Sequence, residues 1–199
     1  MRSLVPPLML VLVLGLPARS ADVRAKTEDG KEVILHDDGT WTYAEFAKKD
    51  KRGSERYVGK HGTFALSLAP GVWKKSEKPS SPVAEAEFTH REGDAVALVI
   101  AERIAVPPAR LKETVLQNIR NVDPQAKILK EEKKTVNGTN VQFLTLNAKV
   151  QGIPFTYMYC LYTGDADTIQ IMTFTAQHLF NEYRQDMEAV LNGFEMIKR

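Results

Sequence analysis

Few side chains in this sequence have the type and spacing that chemistry requires, and the first to consider is the single thiol, Cys160. A cysteine acts as a nucleophile only as a thiolate, which needs a nearby base and an electropositive, partly open setting. Its neighbours Tyr159, Leu161 and Tyr162 instead indicate a buried strand, where free cysteines are most often found. We therefore predict an inert thiol, and a lone cysteine also excludes an internal disulfide.

Metal-binding patterns are absent from the sequence. The histidines show neither metal-ligand spacing nor an HExxH or paired-cysteine motif: His36, His61, His90 and His178. Asp165 and Asp167 offer carboxylate oxygens, but calcium takes about six to eight oxygen ligands and no EF-hand continuation follows. A plain hairpin turn is the simpler interpretation. The sequence predicts no metal and no cofactor.

One pair of carboxylates has a spacing that acid–base chemistry can use. Glu85 and Glu87 alternate onto one face of a predicted strand over residues 83–89. Catalytic carboxylate pairs face each other across a cleft, so two on one strand are more simply a solvated face. There is also no glycine-rich phosphate loop and no G-x-S-x-G motif. We predict no catalytic residue.

Residues 1–20 have the pattern of an export signal. Arg2 supplies the positive start, residues 4–16 form an apolar run of about 13 residues, and small residues precede a cut between Ser20 and Ala21. This predicts a periplasmic or secreted protein.

An uncleaved membrane anchor is the less favoured alternative, because a bilayer needs about 20 consecutive apolar residues. No cysteine stands at the predicted cut to carry a lipid, and no later segment is long and apolar enough to cross a membrane.

Composition and charge narrow the class of partner. The chain has 199 residues, 43% of them apolar and 26% charged, which fits one ordinary globular domain. Its formal charge of +2 comes from 27 basic and 25 acidic side chains, and removing Arg2 and Arg19 with the signal leaves the mature chain neutral. Nucleic-acid binding depends on an excess of Lys and Arg, so we expect no nucleic-acid partner.

Residues 21–43 predict a small β-meander. Asp29-Gly30 and Asp38-Gly39 favour turns, which leaves strands over residues 23–27, 32–36 and 40–43. So small a unit is not stable alone and has to pack on the body, on a partner or on a second copy. Residues 44–56, rich in both charges and without periodicity, predict a solvated linker.

Two short segments of this meander resemble known sequences. The segments Glu-Asp-Gly-Lys at 28–31 and Asp-Asp-Gly-Thr-Trp at 37–41 resemble an N-terminal segment that recurs in uncharacterised exported bacterial proteins. The resemblance implies export but no known activity.

The body, residues 57–199, predicts an α+β fold. Two helices are predicted, one from Pro107-Pro108 to Asp123 and one over residues 176–191, with Thr175 and Gly193 suited to cap the second. The predicted strands are one in 62–73 that Pro70-Gly71 stops, then 83–89, 95–103, 127–136, 139–150, 153–162, 169–174 and 194–197.

Several of these strands have no polar face. Residues 95–101 are apolar at nearly every position, and residues 153–162 carry apolar or aromatic side chains on both sides. Such strands are buried on both faces, so the sheet needs helices on both faces. We therefore expect an α/β/α sandwich built on an antiparallel sheet.

The body resembles the PsbP-like fold in four segments. These are Gly-Thr-Phe-Ala-Leu at 62–66, Pro-Gly-Val-Trp at 70–73, Val-Asn-Gly-Thr at 136–139 and Met-Thr-Phe-Thr at 172–175. That fold is shared by photosystem extrinsic proteins, a nuclear import factor and many exported bacterial proteins and lipoproteins. The resemblance implies binding to other proteins and no shared catalytic set.

The leading hypothesis is thus a non-catalytic accessory protein whose partner is another envelope protein. Trp41 and Tyr43, with Trp73 nearby, are its candidate surface, although packing of the meander against the body is the favoured explanation of these aromatic residues. The alternative is a carrier of a small apolar ligand, in a pocket between sheet and helices lined by Phe155, Tyr157, Met158 and Tyr183. An enzyme is the least favoured class.

Overall fold

The computed structural model describes residues 23–26, 32–35, 41–43 and 55–197, and the chain divides into two units, Met1–Lys51 and Arg52–Arg199. The predicted export signal lies outside the described residues, as does most of the predicted linker. Within the described part of the chain, no helix is long and apolar enough to cross a membrane.

The first unit contains the predicted meander. Its strands are β1 (Val23–Lys26), β2 (Glu32–Leu35) and β3 (Trp41–Tyr43), paired antiparallel in that order. The predicted turns at 29–30 and 38–39 fall outside the described residues.

The second unit is an antiparallel α+β fold. In chain order its elements are β4 (Glu55–Val58), β5 (Phe64–Leu68), β6 (Trp73–Lys75), β7 (Ala86–His90), β8 (Ala95–Glu102), α1 (Pro108–Arg120), β9 (Lys127–Val136), β10 (Thr139–Val150), β11 (Ile153–Thr163), β12 (Thr168–Ala176), a 3-10 turn (Gln177–Leu179), α2 (Phe180–Asn192) and β13 (Phe194–Met196). Strand β4 includes Glu55 and Arg56, so the last two residues of the predicted linker of 44–56 belong to a strand.

Two sheets organise these elements. The larger has seven strands in the order β6-β7-β8-β12-β11-β10-β9, and the smaller has three in the order β13-β5-β4. Every pairing is antiparallel. The breaks predicted between strands 127–136, 139–150 and 153–162 are hairpin turns: the residues of Asn137-Gly138 and Gln151-Gly152 all have positive φ, between 48° and 83°, as tight two-residue turns require.

One face of the large sheet, the first face, is sealed. It carries Ala97 and Val99 of β8, Met158 and Cys160 of β11, and Ile169 and Ile171 of β12. Four side chains of α2 cover them, Tyr183, Met187, Val190 and Leu191, together with β5 and β13 of the small sheet.

The opposite face, the second face, is covered in part. Helix α1 places Leu111 and Val115 over Leu144, Tyr157 and Tyr159 of β10 and β11. Farther across the sheet Leu98 is buried, but five apolar side chains around it are only half-buried. We call these five the apolar strip: Val96, Ile100, Phe155, Met172 and Phe174. An antiparallel sheet with two helices is thus confirmed, whereas helices that cover both faces completely are not confirmed.

The helix ends match the predictions unequally. Helix α1 begins at Pro108, directly after Pro107, as predicted. The predicted cap at Thr175 is wrong, because β12 continues through that residue and α2 starts only at Phe180, after the 3-10 turn. The Thr175 hydroxyl instead donates to the backbone oxygen of Asp94 at 2.7 Å.

Gly193 ends α2 as predicted, but for a different reason from the usual one. Its φ is −77°, which any residue adopts. A Cβ at this position would lie 2.1 Å from the backbone oxygen of Ser67, since the chain runs against β5 here, with the Ser67 amide donating to the Gly193 oxygen at 2.9 Å. Only glycine fits between helix and sheet.

We therefore predict that Gly193→Ala lowers the free energy of unfolding by about 1–3 kcal/mol, the usual cost of overpacking a tight site. Urea denaturation measures it. The control is Asn192→Ala, an exposed neighbour that should stay within about 0.5 kcal/mol of the original protein. Equal midpoints for Gly193→Ala and the control would contradict the close approach.

Candidate functional site

The thiol of Cys160 lies on the first face of β11 and is 1% exposed. Its cross-strand neighbours are Phe143 on β10 and Ile171 on β12, both in the sealed cluster. Burial raises the pKa of the Cys160 thiol far above its usual range, so the thiolate that a nucleophile requires does not form at neutral pH. The predicted burial of this thiol on a strand is confirmed.

His90 is a buried histidine that no sequence pattern singles out. Its side chain is 3% exposed at the end of β7, between the rings of Trp73 and Tyr183 at centroid distances of 5.3 and 4.9 Å. Nδ1 accepts the Glu92 amide at 3.3 Å, and Nε2 lies 3.2 Å from Oδ2 of Asp186. Because Nδ1 is an acceptor, the ring proton resides on Nε2 and is donated to Asp186.

Tyr183 extends this group of contacts. Its hydroxyl donates to Oδ2 of Asp94 at 3.2 Å, and Thr175 donates to the backbone oxygen of the same residue. Burial, together with nearby carboxylates, raises the pKa of Tyr183. We call His90, Asp94, Tyr183 and Asp186 the His90 network; it fastens α2 to the turn between β7 and β8.

The His90 network has half of what a catalytic triad needs. A histidine oriented by a carboxylate acts as a general base only if its other nitrogen faces a nucleophile or substrate. Here that nitrogen accepts a backbone amide, and two aromatic rings enclose the imidazole. The arrangement holds the fold and offers no free nitrogen to a substrate.

Glu87 is not on a solvated face, so that interpretation is wrong. The residue is 9% exposed on the second face, opposite Leu98. Its carboxylate accepts the Ser76 hydroxyl at 3.1 Å, the Ser80 amide at 2.7 Å and the Ser80 hydroxyl. Burial alone would raise the pKa of Glu87, but these hydrogen bonds outweigh it and lower the pKa.

Glu85 has a separate partner, since its Oε1 accepts the Tyr57 hydroxyl at 2.9 Å. The two carboxylates therefore serve different contacts and do not form an acid–base pair. Asp165 and Asp167 lie in a tight turn closed by the Gly164 amide on the Asp167 oxygen, as the sequence predicted. Among the described residues, no group of three or more potential ligands could hold a metal ion.

The candidate binding residues are spread over the molecule. Trp73 is 3% exposed in the first-face cluster, so it is not a surface residue. The side chains of Trp41 and Tyr43 lie outside the described part of the chain.

The four residues of the predicted ligand pocket do not come together. Met158 and Tyr183 belong to the first-face cluster, whereas Phe155 and Tyr157 lie on the second face. Successive residues of a strand point to opposite faces, so Tyr157 and Met158 cannot line one cavity.

Aromatic contact instead concentrates on the second face. Tyr157 and Phe174 are stacked with centroids 5.5 Å apart, and Phe155 lies 6.2 Å from each ring. Tyr157 belongs to the buried cluster that α1 covers, whereas Phe155 and Phe174 are partly buried against that cluster and belong to the apolar strip. The sequence could have indicated the trio, since Phe155 and Tyr157 share a parity, but not which part of the face stays uncovered.

Two solved structures share this architecture. The chain is similar to cyanobacterial PsbP (CyanoP) from Synechocystis sp. PCC 6803, with a TM-score of 0.54 and 16% identity over 72% of this chain and 92% of that one. It is also similar to the Ran-binding protein Mog1p of Saccharomyces cerevisiae, with a TM-score of 0.51 and 10% identity over 73% of this chain and 96% of that one. No protein-family model and no curated protein matches the chain. At these identities the likeness shows the fold alone, and that fold is PsbP-like, as the sequence predicted.

We predict that Cys160 does not react with Ellman's reagent in the folded protein at neutral pH, because the thiol is buried and un-ionised. The same sample in denaturing urea should release the full colour of a single thiol. Stoichiometric reaction without denaturant would contradict the buried position.

A second prediction concerns Glu87. Replacing it by Gln should lower the free energy of unfolding by about 1–3 kcal/mol at pH 7, since bonds to a charged acceptor are lost. The folded pKa lies below the unfolded value of about 4.3, so the carboxylate stabilises the fold above that pH and loses this effect as pH falls through the folded pKa. The difference between the two proteins should therefore narrow in acid.

Chemical denaturation at several pH values measures this difference. Glu77→Gln is the matched control, because Glu77 is exposed in the same connection. A stability difference for Glu87→Gln that does not change with pH would contradict the account.

Proposed function

We propose that the protein is an exported, non-catalytic accessory protein of the bacterial cell envelope that acts by binding another protein. One observation carries this proposal: within the described residues, three buried side chains able to do chemistry are used to hold the fold. Cys160 is sealed, both nitrogens of His90 are occupied, and Glu87 is held by serine donors. The apolar strip is half-buried, and apolar surface of this kind serves contact rather than chemistry.

The fold supports a binding role. Mog1p, which shares it, is described as a Ran-binding protein, and so binds another protein. Different functions occur on one fold, so this support is an analogy, and the partner has to be found by experiment.

The sequence supports export. Residues 1–20 combine a positive start, a short apolar run and small residues before a cut, and removal of this segment leaves a neutral chain. A neutral surface favours partners other than nucleic acid.

A second candidate is a carrier of a small apolar ligand. The stacked rings of Phe155, Tyr157 and Phe174 favour it, because aromatic side chains often line apolar ligand sites. A carrier of this kind would use the second face alone and not the predicted pocket, whose four residues are divided between the two faces.

Native mass spectrometry of the protein isolated from its own host at its normal level tests both candidates. We expect a chain that begins at Ala21 and occurs in a complex with another protein. A chain that retains Met1 would contradict cleavage of the signal. A small extra mass on the monomer would contradict the accessory role and identify the ligand class.

A pair of variants makes the result specific. Met172→Gln alters the apolar strip, whereas Leu129→Gln alters an apolar side chain that is 59% exposed on β9. Loss of the complex with the first variant and not with the second is the expected outcome. Equal loss with both, or with neither, would contradict a role for the strip.

A further inference from the structure

The connection between β6 and β7 folds back onto the sheet. We call residues 76–82 the serine strap; they contain Ser76, Ser80 and Ser81 and follow β6 directly. Glu87 lies on the second face, and so does Thr89, whose hydroxyl is 3.5 Å from that of Ser76. The strap therefore lies at the second-face side of the β6–β7 hairpin, at the edge of the large sheet.

Between its two ends the strap is attached to the sheet mainly through one side chain. Its first residue is fixed by the Ser76 amide on the backbone oxygen of Glu87, at 2.9 Å, and the next fixed point is the Glu85 amide on Val99, at 2.8 Å. Between these points the hydrogen bonds from the strap to the sheet within the described residues end on the Glu87 carboxylate, apart from the long contact between the Ser76 and Thr89 hydroxyls.

Apolar packing contributes little to holding the strap. No residue from 76 to 84 is buried, and several are exposed, including Glu77, Lys78, Ser80 and Val83. Segments with few buried contacts open more readily than the core around them. The closed position of the strap thus depends on hydrogen bonds to one carboxylate.

The hydrogen-bond partners of the Glu87 carboxylate allow the strap to be released from it. Within the described residues no cationic side chain pairs with Glu87; two serines and one amide satisfy it. Once the strap moves, water replaces the serine hydroxyls as donors to the carboxylate. Because the partners of Glu87 are uncharged, release breaks no buried ion pair. An opened strap leaves the Glu87 carboxylate free to accept donors from a bound molecule.

The strap also borders the apolar strip. Glu87 is the cross-strand partner of Leu98, which in turn pairs with Met172. Leu98 is 5% exposed, whereas Val96 and Ile100, which flank it on the same face of β8, are half-buried. The Glu87 carboxylate, to which the strap is bonded, is therefore two strands from Met172 of the strip on the same face.

We infer that the serine strap is a flap, latched by Glu87, that opens as a unit while the sheet beneath it stays paired. The use of the flap in binding rests on the proposed function, but its opening does not. If no partner protein exists, the flap and its latch still stand as a property of the chain.

Hydrogen exchange followed by mass spectrometry tests the latch on the full mature chain. The variants are Glu87→Gln and Ser80→Ala, and Glu77→Gln is the control because Glu77 is exposed in the strap. We expect the Ser80 amide, which donates to Glu87, to exchange faster, on the order of tenfold for Glu87→Gln. That factor is the equilibrium change that corresponds to the loss of charge-assisted hydrogen bonds. Ser80→Ala should give a smaller increase, since the Ser80 amide still donates.

The amides of β7, β8 and β12 distinguish a latch from a structural residue. In both variants their exchange should rise uniformly across the three strands, by no more than the measured loss of unfolding free energy allows, and all exchange in the control should stay unchanged. A rise confined to β7 and β8 would overturn the inference, and so would unchanged exchange in residues 77–84. If Glu87→Gln does not fold, Ser80→Ala decides alone, because that side chain is exposed and outside the core.

Discussion

The constraint on which the rest of this structure depends is that the central strands of a seven-stranded sheet are apolar on both sides. With no disulfide available, burial of those two faces has to stabilise the fold. The two faces of the large sheet are covered to different extents. Helix α2 and the small sheet seal the first face, and Gly193 allows the chain to pass from one to the other at a backbone distance that no side chain permits. Helix α1 covers the second face over β10 and β11, and the rest of that face remains half-buried.

The same constraint explains how the polar side chains are used. A helix and a small sheet that cover an apolar surface must be held in position at their edges, and hydrogen bonds do this. The His90 network holds the start of α2 to the turn after β7. At its other end the Asn137 amide donates to the backbone oxygens of Asn192 and Phe194, at 3.1 and 2.8 Å, which ties the β9–β10 turn to the end of the helix. Residues that could serve chemistry are thereby used for assembly.

The sequence predicted what depends on local pattern and missed what depends on distant contact. Asn137-Gly138 and Gln151-Gly152 favour turns through interactions within a few residues, so both hairpins were predictable. The apolar and aromatic neighbours of Cys160 were likewise enough to predict that it is buried. His90 and Asp186 are 96 residues apart, and nothing near either position indicates the other. Glu87 looks like a surface residue because strand alternation cannot show that a connection folds back over it. The extent to which α1 covers the second face depends on where the helix lies across the sheet, which periodicity does not determine.

The central claim is that one face of the large sheet is sealed and the other is accessible. Three methionines report on it directly: Met158 and Met187 belong to the first-face cluster, and Met172 lies in the apolar strip. Oxidation of the folded protein by dilute hydrogen peroxide, with each site quantified by peptide mass spectrometry, compares them in one sample. The account predicts that Met172 is oxidised well before Met158 and Met187. Oxidation of Met187 as fast as that of Met172 would contradict it.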